Sequence, residues 1–401
     1  MKRAVALLAL LFSFPLAAQT QQTVNPLLRN VSGTASNPGD GGPRLFSDGA
    51  WKAFIDSAAF VTYVSESGPA EQRNEVFSTN FLTIGLGRDL FGDRATLLFR
   101  GRVSLEPYTV PDEGYPQVLQ YVSPEAGGPL LDFMRPHDLI GEAAVHLGVR
   151  TTQASWLHLY AAPIGEPAFG AVPFAQRSSS IDFAEAPYGY EIHESVQDAT
   201  SVVTLGWTSS FISLEGSVFH DAVTFDDHTD IDTDGDIDSR SARLTLTPTR
   251  NISLQVSRAE LGEDDNEREA TSASISWGSP AIAATALWTR RDGDGTLIPD
   301  YEAIGAELAL RGGRNTFMLR GELVDRPANL FGDTGAEGPT EESTHITIGY
   351  IYDFIARPAW RGGLGVNIDY HTNTHELEEL PQYGHKPQGI YAFIRFRTGR
   401  N

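Results

Sequence analysis

The chain has 401 residues, no cysteine, and 52 acidic against 30 basic residues, a formal net charge of −22. Disulfides, thiolate metal sites, cysteine nucleophiles and a lipidated N-terminal cysteine are therefore excluded. So is a nucleic-acid binder, which needs clustered Lys and Arg.

Residues 1–18 have the form of a secretory signal peptide. Lys2 and Arg3 precede the apolar stretch Ala4 to Leu16, and Ala17-Ala18-Gln19 supplies a small-residue cleavage point. That stretch is shorter than the roughly 20 residues of a membrane-spanning helix, and no similar run recurs. Residues 19–49, rich in Gln, Asn, Gly and Pro, are expected to form a flexible periplasmic N-terminal segment.

From residue 50 to 401 the sequence alternates. Strands are predicted at 50–64, 75–88, 94–107, 139–150, 154–163, 200–207, 210–220, 238–248, 251–260, 268–278, 281–291, 301–312, 315–325, 343–356, 359–371 and 388–398. The third shows the pattern best. Ala95, Leu97, Phe99, Gly101, Val103 and Leu105 fall on one face, and Arg94, Thr96, Leu98, Arg100, Arg102, Ser104 and Glu106 on the other. Later strands repeat it, with Ile346, Ile348, Tyr350, Tyr352 and Phe354 opposing His345, Thr347 and Asp353.

Alternation alone also fits a soluble β-sandwich. Strand length argues otherwise, because 10 to 14 residues suit a tilted strand crossing a bilayer. Connection length argues the same way. The links 89–93, 151–153, 208–209, 249–250, 279–280, 313–314 and 357–358 are tight, whereas 108–138, 164–199, 221–237, 326–342 and 372–387 are long and polar. The predicted fold class is all-β: a single transmembrane antiparallel up-and-down barrel of about 16 strands in the bacterial outer membrane, with short periplasmic turns and long extracellular loops. Trp51, Trp207, Trp277, Trp288, Trp360, Tyr350 and Tyr352 lie where interfacial aromatic girdles are expected. Phe396 closes the last apolar face, five residues before the end of the chain.

The pattern resembles that of porin-type outer-membrane barrels. Within it, Pro136-His137-Asp138-Leu139, Gly165-Glu166-Pro167, Glu185-Ala186-Pro187-Tyr188-Gly189 and Gln197-Asp198-Ala199-Thr200 resemble the loop motifs of a largely uncharacterised barrel family, over roughly residues 132 to 290. The resemblance implies a channel for passive diffusion of small polar or charged solutes. The alternative it carries is a non-channel barrel with a structural or copper-linked metal-handling role. Three methionines in all, and no histidine pair at Tyr190 and Glu191, argue against the metal reading.

Candidate pore-lining residues are Arg100, Arg102, Glu142, Arg243, Glu307, Arg311, Arg320, Glu322 and Asp369. Rings of opposed charge in an aqueous lumen set selectivity. General porins fold their third long loop inward. By that likeness Glu166, Asp182, Glu185 and Asp198 are expected to face Arg100, Arg102 and Arg243. An open lumen would favour the channel, and one filled by 108–138 and 164–199 the alternative.

The loop 221–238 holds eight Asp and no Lys or Arg. Asp230, Asp232, Asp234, Asp236 and Asp238 have the alternate spacing of calcium ligands, with Gly235 at the turn. Ser241 stands where the closing Glu would be, so Ca²⁺ is a candidate ligand and no cofactor is required. His137-Asp138 lacks a serine in a motif to complete a triad, and no enzyme is expected. The expected partners are outer-membrane lipids, lipopolysaccharide near Arg258, Arg290 and Arg291, the barrel-assembly machinery, and further copies in a homo-oligomer.

Overall fold

The computed structural model describes residues 25–39, 41–67, 74–112, 114–121, 131–134, 136–194, 196, 199–221, 228–229, 233, 235–262, 268–292, 300–327, 340–372 and 388–399. The expected signal peptide lies outside them.

Sixteen antiparallel strands close on themselves in sequence order. They are β1 (Trp51–Ser67), β2 (Asn80–Leu90), β3 (Ala95–Val103), β4 (Ile140–Thr152), β5 (Ser155–Ile164), β6 (Thr200–Ser209), β7 (Ile212–His220) and β8 (Ser239–Thr249). The second half is β9 (Ile252–Leu261), β10 (Arg268–Gly278), β11 (Ile282–Asp292), β12 (Tyr301–Gly312), β13 (Asn315–Pro327), β14 (Thr340–Ala356), β15 (Trp360–Thr372) and β16 (Gln388–Thr398). Each predicted strand has its counterpart. The third stops at Val103, earlier than expected, and a helical turn, Glu106–Thr109, follows.

The seam at β1 has two parts. The last strand pairs with Ala58 to Ser67, and a short strand, Arg44–Asp48, pairs with Trp51 to Ile55 below it. On the other side of β1, Asn74–Phe77 continues the line of β2 past Ser78 and Thr79. Closure leaves no free edge to template aggregation.

Period 2 separates the faces. Val61, Ile84, Leu86, Phe99, Leu205, Leu214, Leu319, Ile348, Leu364, Ile368 and Ile394 are exposed on the outside, as a lipid-facing wall requires. Trp51, Trp207, Trp277, Trp360, Tyr352, Phe354 and Phe396 are exposed near the tight-turn ends of their strands and form a girdle there. Trp288 and Tyr350 are half-buried.

The interior differs from the expected aqueous lumen. It is occupied by the segment from Asn25 to Gly42 and by the connection 165–194, most of whose residues are buried. The first contains a small hairpin, Asn30–Ser32 with Ala35–Ser36, turned at Gly33. The expected flexible segment is thus folded from Asn25 onward, because the barrel wall meets it with apolar and charged partners. Leu27 packs against Phe54 and Leu98, both on the inward face. Further up, Phe60, Met318, Ile351 and Phe393 point inward against Ile181 and Phe183 of the connection.

Candidate functional site

The wall charges of β3 and β4 hold the N-terminal segment. Arg100 Nε donates to Glu142 Oε2 at 2.9 Å, while its terminal nitrogens donate to the carbonyls of Asn30 and Gly33. Tyr160 donates to Glu142 Oε1 at 2.9 Å. Arg102 lies 2.6 Å from Glu166 Oε1 and donates to Ser32. Across the barrel Arg243 donates to Glu215 at 2.9 Å and to Thr34 Oγ1 at 2.7 Å. These contacts reach backbone and hydroxyl groups of a segment that would otherwise leave them buried and unpaired.

The 165–194 connection is held by more contacts. Ala168 and Gly170 donate backbone N–H groups to Ser217 and Ser257 of the wall. Arg177 makes a bidentate pair with Glu307, at 2.8 and 2.9 Å, and Ser179 donates to the same carboxylate. Such forks are among the stronger charge-assisted contacts. Asp182 accepts from Arg311 at 2.9 Å and from Arg395, and lies 2.8 Å from Arg397 Nε. Arg320 donates to Ser180 and to the Glu185 carbonyl, with its guanidinium 4.1 Å from the Phe183 ring centre. Glu322 accepts the backbone N–H groups of Tyr188 and Gly189 at 2.8 and 2.9 Å. Asn367 donates to Glu185 at 2.6 Å.

Burial perturbs the titration of this connection. Asp182 would be raised by burial, but Arg397, Arg395 and Arg311 hold it well below the usual carboxylate range. Glu185 is pushed up to about 8 by burial and by the Asp369 carboxylate. Burial pushes Glu194 up to about 7, against the opposing effect of Arg177, and lowers His193 to about 4.

All nine candidate wall residues lie in the interior, eight of them buried and Arg311 half-buried. Among the described residues the expected pairing is met only at Glu166, which reaches Arg102. Asp182 and Glu185 instead face the opposite wall, at Arg311, Arg395, Arg397 and Arg320. Arg100 and Arg243 are taken by wall carboxylates one strand away, Glu142 and Glu215. Asp198 lies outside the described residues, as do Asp230, Asp232 and Asp234. Asp236 is exposed, and Asp238 binds His220 at 2.7 Å and accepts from Asp221 N and Ser239. His137 and Asp138 pair separately, with Glu106 and His228.

Arg177 and Arg397 make lumen contacts that the sequence reading did not single out, whereas Asp353, Asn367 and Arg395 fall on the polar, inward parity of their alternating strands. A cavity of about 370 Å³ remains at the tight-turn end, lined by Pro38, Ser178, Arg311, Arg357, Arg361 and Arg397 among others. A second, of about 130 Å³, lies beside Arg29, Glu215 and Arg243.

Comparison with solved structures places this architecture. The anion-selective porin from Comamonas acidovorans superposes with a TM-score of 0.51 at 13% identity, over 86% of this chain and 99% of the porin. OmpF of Salmonella typhi, solved as a complex with daunomycin, gives 0.53 at 10% identity, over 88% and 99%. The fold is that of bacterial outer-membrane porins. OmpT, an outer membrane protein of Vibrio cholerae, in its in-vitro folded form gives 0.50 at 8% identity, over 88% and 98%. No family model matches the sequence, and no curated protein sequence matches it. The likeness over 132–290 therefore rests on its loop motifs alone.

Proposed function

We propose that this porin-fold barrel is a channel for small polar or charged solutes, shut by its 165–194 connection together with the N-terminal segment. One observation carries the reading. The interior is filled by the N-terminal segment and the 165–194 connection, and the connection is attached through ion pairs and N–H bonds that water can replace, beside an arginine-lined vestibule of about 370 Å³. A barrel of this strand number encloses more space than its own side chains fill, and the loop and the N-terminal segment supply the filling. A filled lumen is also the outcome expected of a structural barrel, and the porin fold is what favours the channel, so conduction decides.

In this reading residues 1–18 direct export, the assembly machinery inserts the barrel, and lipid and lipopolysaccharide surround it. Copies of the chain associate through the outer wall. Calcium on the acidic loop belongs to the same set of proposals.

Planar-bilayer recording provides the test. Wild-type protein is expected to show low, intermittent conductance, and a deletion of 170–195 a large and sustained one. A deletion variant that folds, judged by heat-modifiable migration, yet conducts no more than wild type would refute the channel.

A further inference from the structure

Near the outer end of the lumen wall, β14 and β15 place His345 directly opposite His371, and Thr347 opposite Asp369. The two imidazoles stack with centroids 4.4 Å apart and planes within 5°. The Tyr188 ring of the 165–194 connection packs edge-on against both, at 5.5 and 5.7 Å. His345, Asp369 and His371 are each at most 1% exposed.

Such burial ordinarily demands hydrogen-bond partners. Neither ring nitrogen of His371 has one, nor does either oxygen of Asp369. His345 Nε2 lies 3.5 Å from Asp369 Oδ2. One ligand atom from each of the three residues lies within 4.8 Å of those of the other two. The unpaired atoms of His371 and Asp369 thus lie beside a ring nitrogen of His345, whose own contacts to Glu322 and Thr347 are long at 3.3 and 3.4 Å, a grouping that hydrophobic packing does not require and a cation would satisfy.

We propose that His345, Asp369 and His371 bind a divalent first-row transition-metal ion of the zinc class. Two imidazoles and a carboxylate are a donor set for such ions, whereas calcium and magnesium prefer all-oxygen sites. Bonds of about 2.1 Å in a tetrahedral site put ligand atoms about 3.4 Å apart, which the three side chains reach by closing inside their 4.8 Å spread. The other nitrogen of His345, Nδ1, lies 3.3 Å from Glu322 Oε2. Glu322 is itself fixed by the N–H groups of Tyr188 and Gly189. A carboxylate on the far side of a ligating histidine sets its tautomer and ring orientation, so Glu322 is a positioning residue. This site stands independently of whether the barrel conducts.

The competing arrangement is a metal-free imidazolium at His345 held between Glu322 and Asp369. The two are separated by titrating chelator-treated, full-length protein in detergent with Zn²⁺, and with Co²⁺ as a spectroscopic probe. Metal binding predicts one ion per chain and Co²⁺ ligand-field bands showing nitrogen ligation. His371→Gln and Asp369→Asn are each expected to weaken Zn²⁺ at least a hundredfold, and Glu322→Gln ten- to a hundredfold, the usual range for such partners. Each variant is checked for heat-modifiable migration, and a conservative His371→Asn supplies a second probe if Gln disturbs folding. No stoichiometric binding by folded wild type, or equal affinity in the folded ligand variants, would overturn the site.

Discussion

At the scale of single residues, the position of a charge decides what it is worth. Asp182 is fully buried among Arg311, Arg395 and Arg397. Removing one partner of a buried ion pair leaves uncompensated charge and costs about 3–5 kcal/mol. Glu260 pairs with Arg240 at the surface, where Arg240 is mostly exposed, and such pairs contribute about 0–1 kcal/mol. Asp182→Asn is therefore expected to loosen the 165–194 connection and speed its proteolysis at least tenfold. Glu260→Gln should leave cleavage unchanged. Limited proteolysis of the two folded variants compares them directly, and equal cleavage would show that the arginine cluster does not hold the loop.

At the scale of elements, the N-terminal segment behaves as an internal strut with one especially close contact. Gly39 has φ +67° and donates its N–H to the Arg250 carbonyl at 2.6 Å. A Cβ there would lie 2.3 Å from the Gly278 carbonyl oxygen. Gly39→Val combines that clash with a backbone region unfavourable to β-branched residues, and should displace the strut while the sixteen strands persist. Because the chain has no native cysteine, a Val31→Cys reporter, buried in the parent fold, gives a clean readout. Maleimide labelling of Val31→Cys is expected to rise at least tenfold when Gly39→Val is added. The strut itself was not legible in the composition of 19–49. The receiving wall was: Phe54 and Leu98, which meet the strut, and Phe60, Met318 and Phe393, which meet the 165–194 connection, have inward parity, and a water-filled lumen would leave them wet. The outer wall was easier to read, because lipid on one side imposes period 2 over every strand. Loop-to-wall pairs such as Arg177 with Glu307 span 130 residues, a distance that local spacing does not encode. The His345–His371 pair needed the register across the 357–359 turn, which a bulge near Asp353 shifts.

At the scale of the whole molecule, the fold places titrating groups of both signs in the element that closes the lumen, so closure should depend on pH. Glu194, raised to about 7 when docked, favours the seated loop fully below its ordinary value of 4.5, and that contribution is lost as pH rises through 7. Glu185, raised to about 8, acts in the same direction. His193 is lowered to about 4, so its contribution is present above 6.5 and lost as pH falls towards 4. Asp182 is depressed, and its contribution is lost below about 3.8. Between about pH 4.5 and 6.5 the His193 gain offsets one carboxylate's loss, while above 6.5 only the carboxylates still change. One carboxylate's loss therefore remains even below 6.5, so conductance is expected to rise from about pH 4.5 to 8, most steeply just above 6.5. It should rise again as pH falls below about 3.8, where a released Asp182 takes up a proton that the docked one refuses. Glu194→Gln should weaken the alkaline rise and leave the acid one in place. Recordings from pH 3.5 to 8.5 on both proteins provide the check. An alkaline limb identical in wild type and Glu194→Gln would show that Glu194 does not govern the opening.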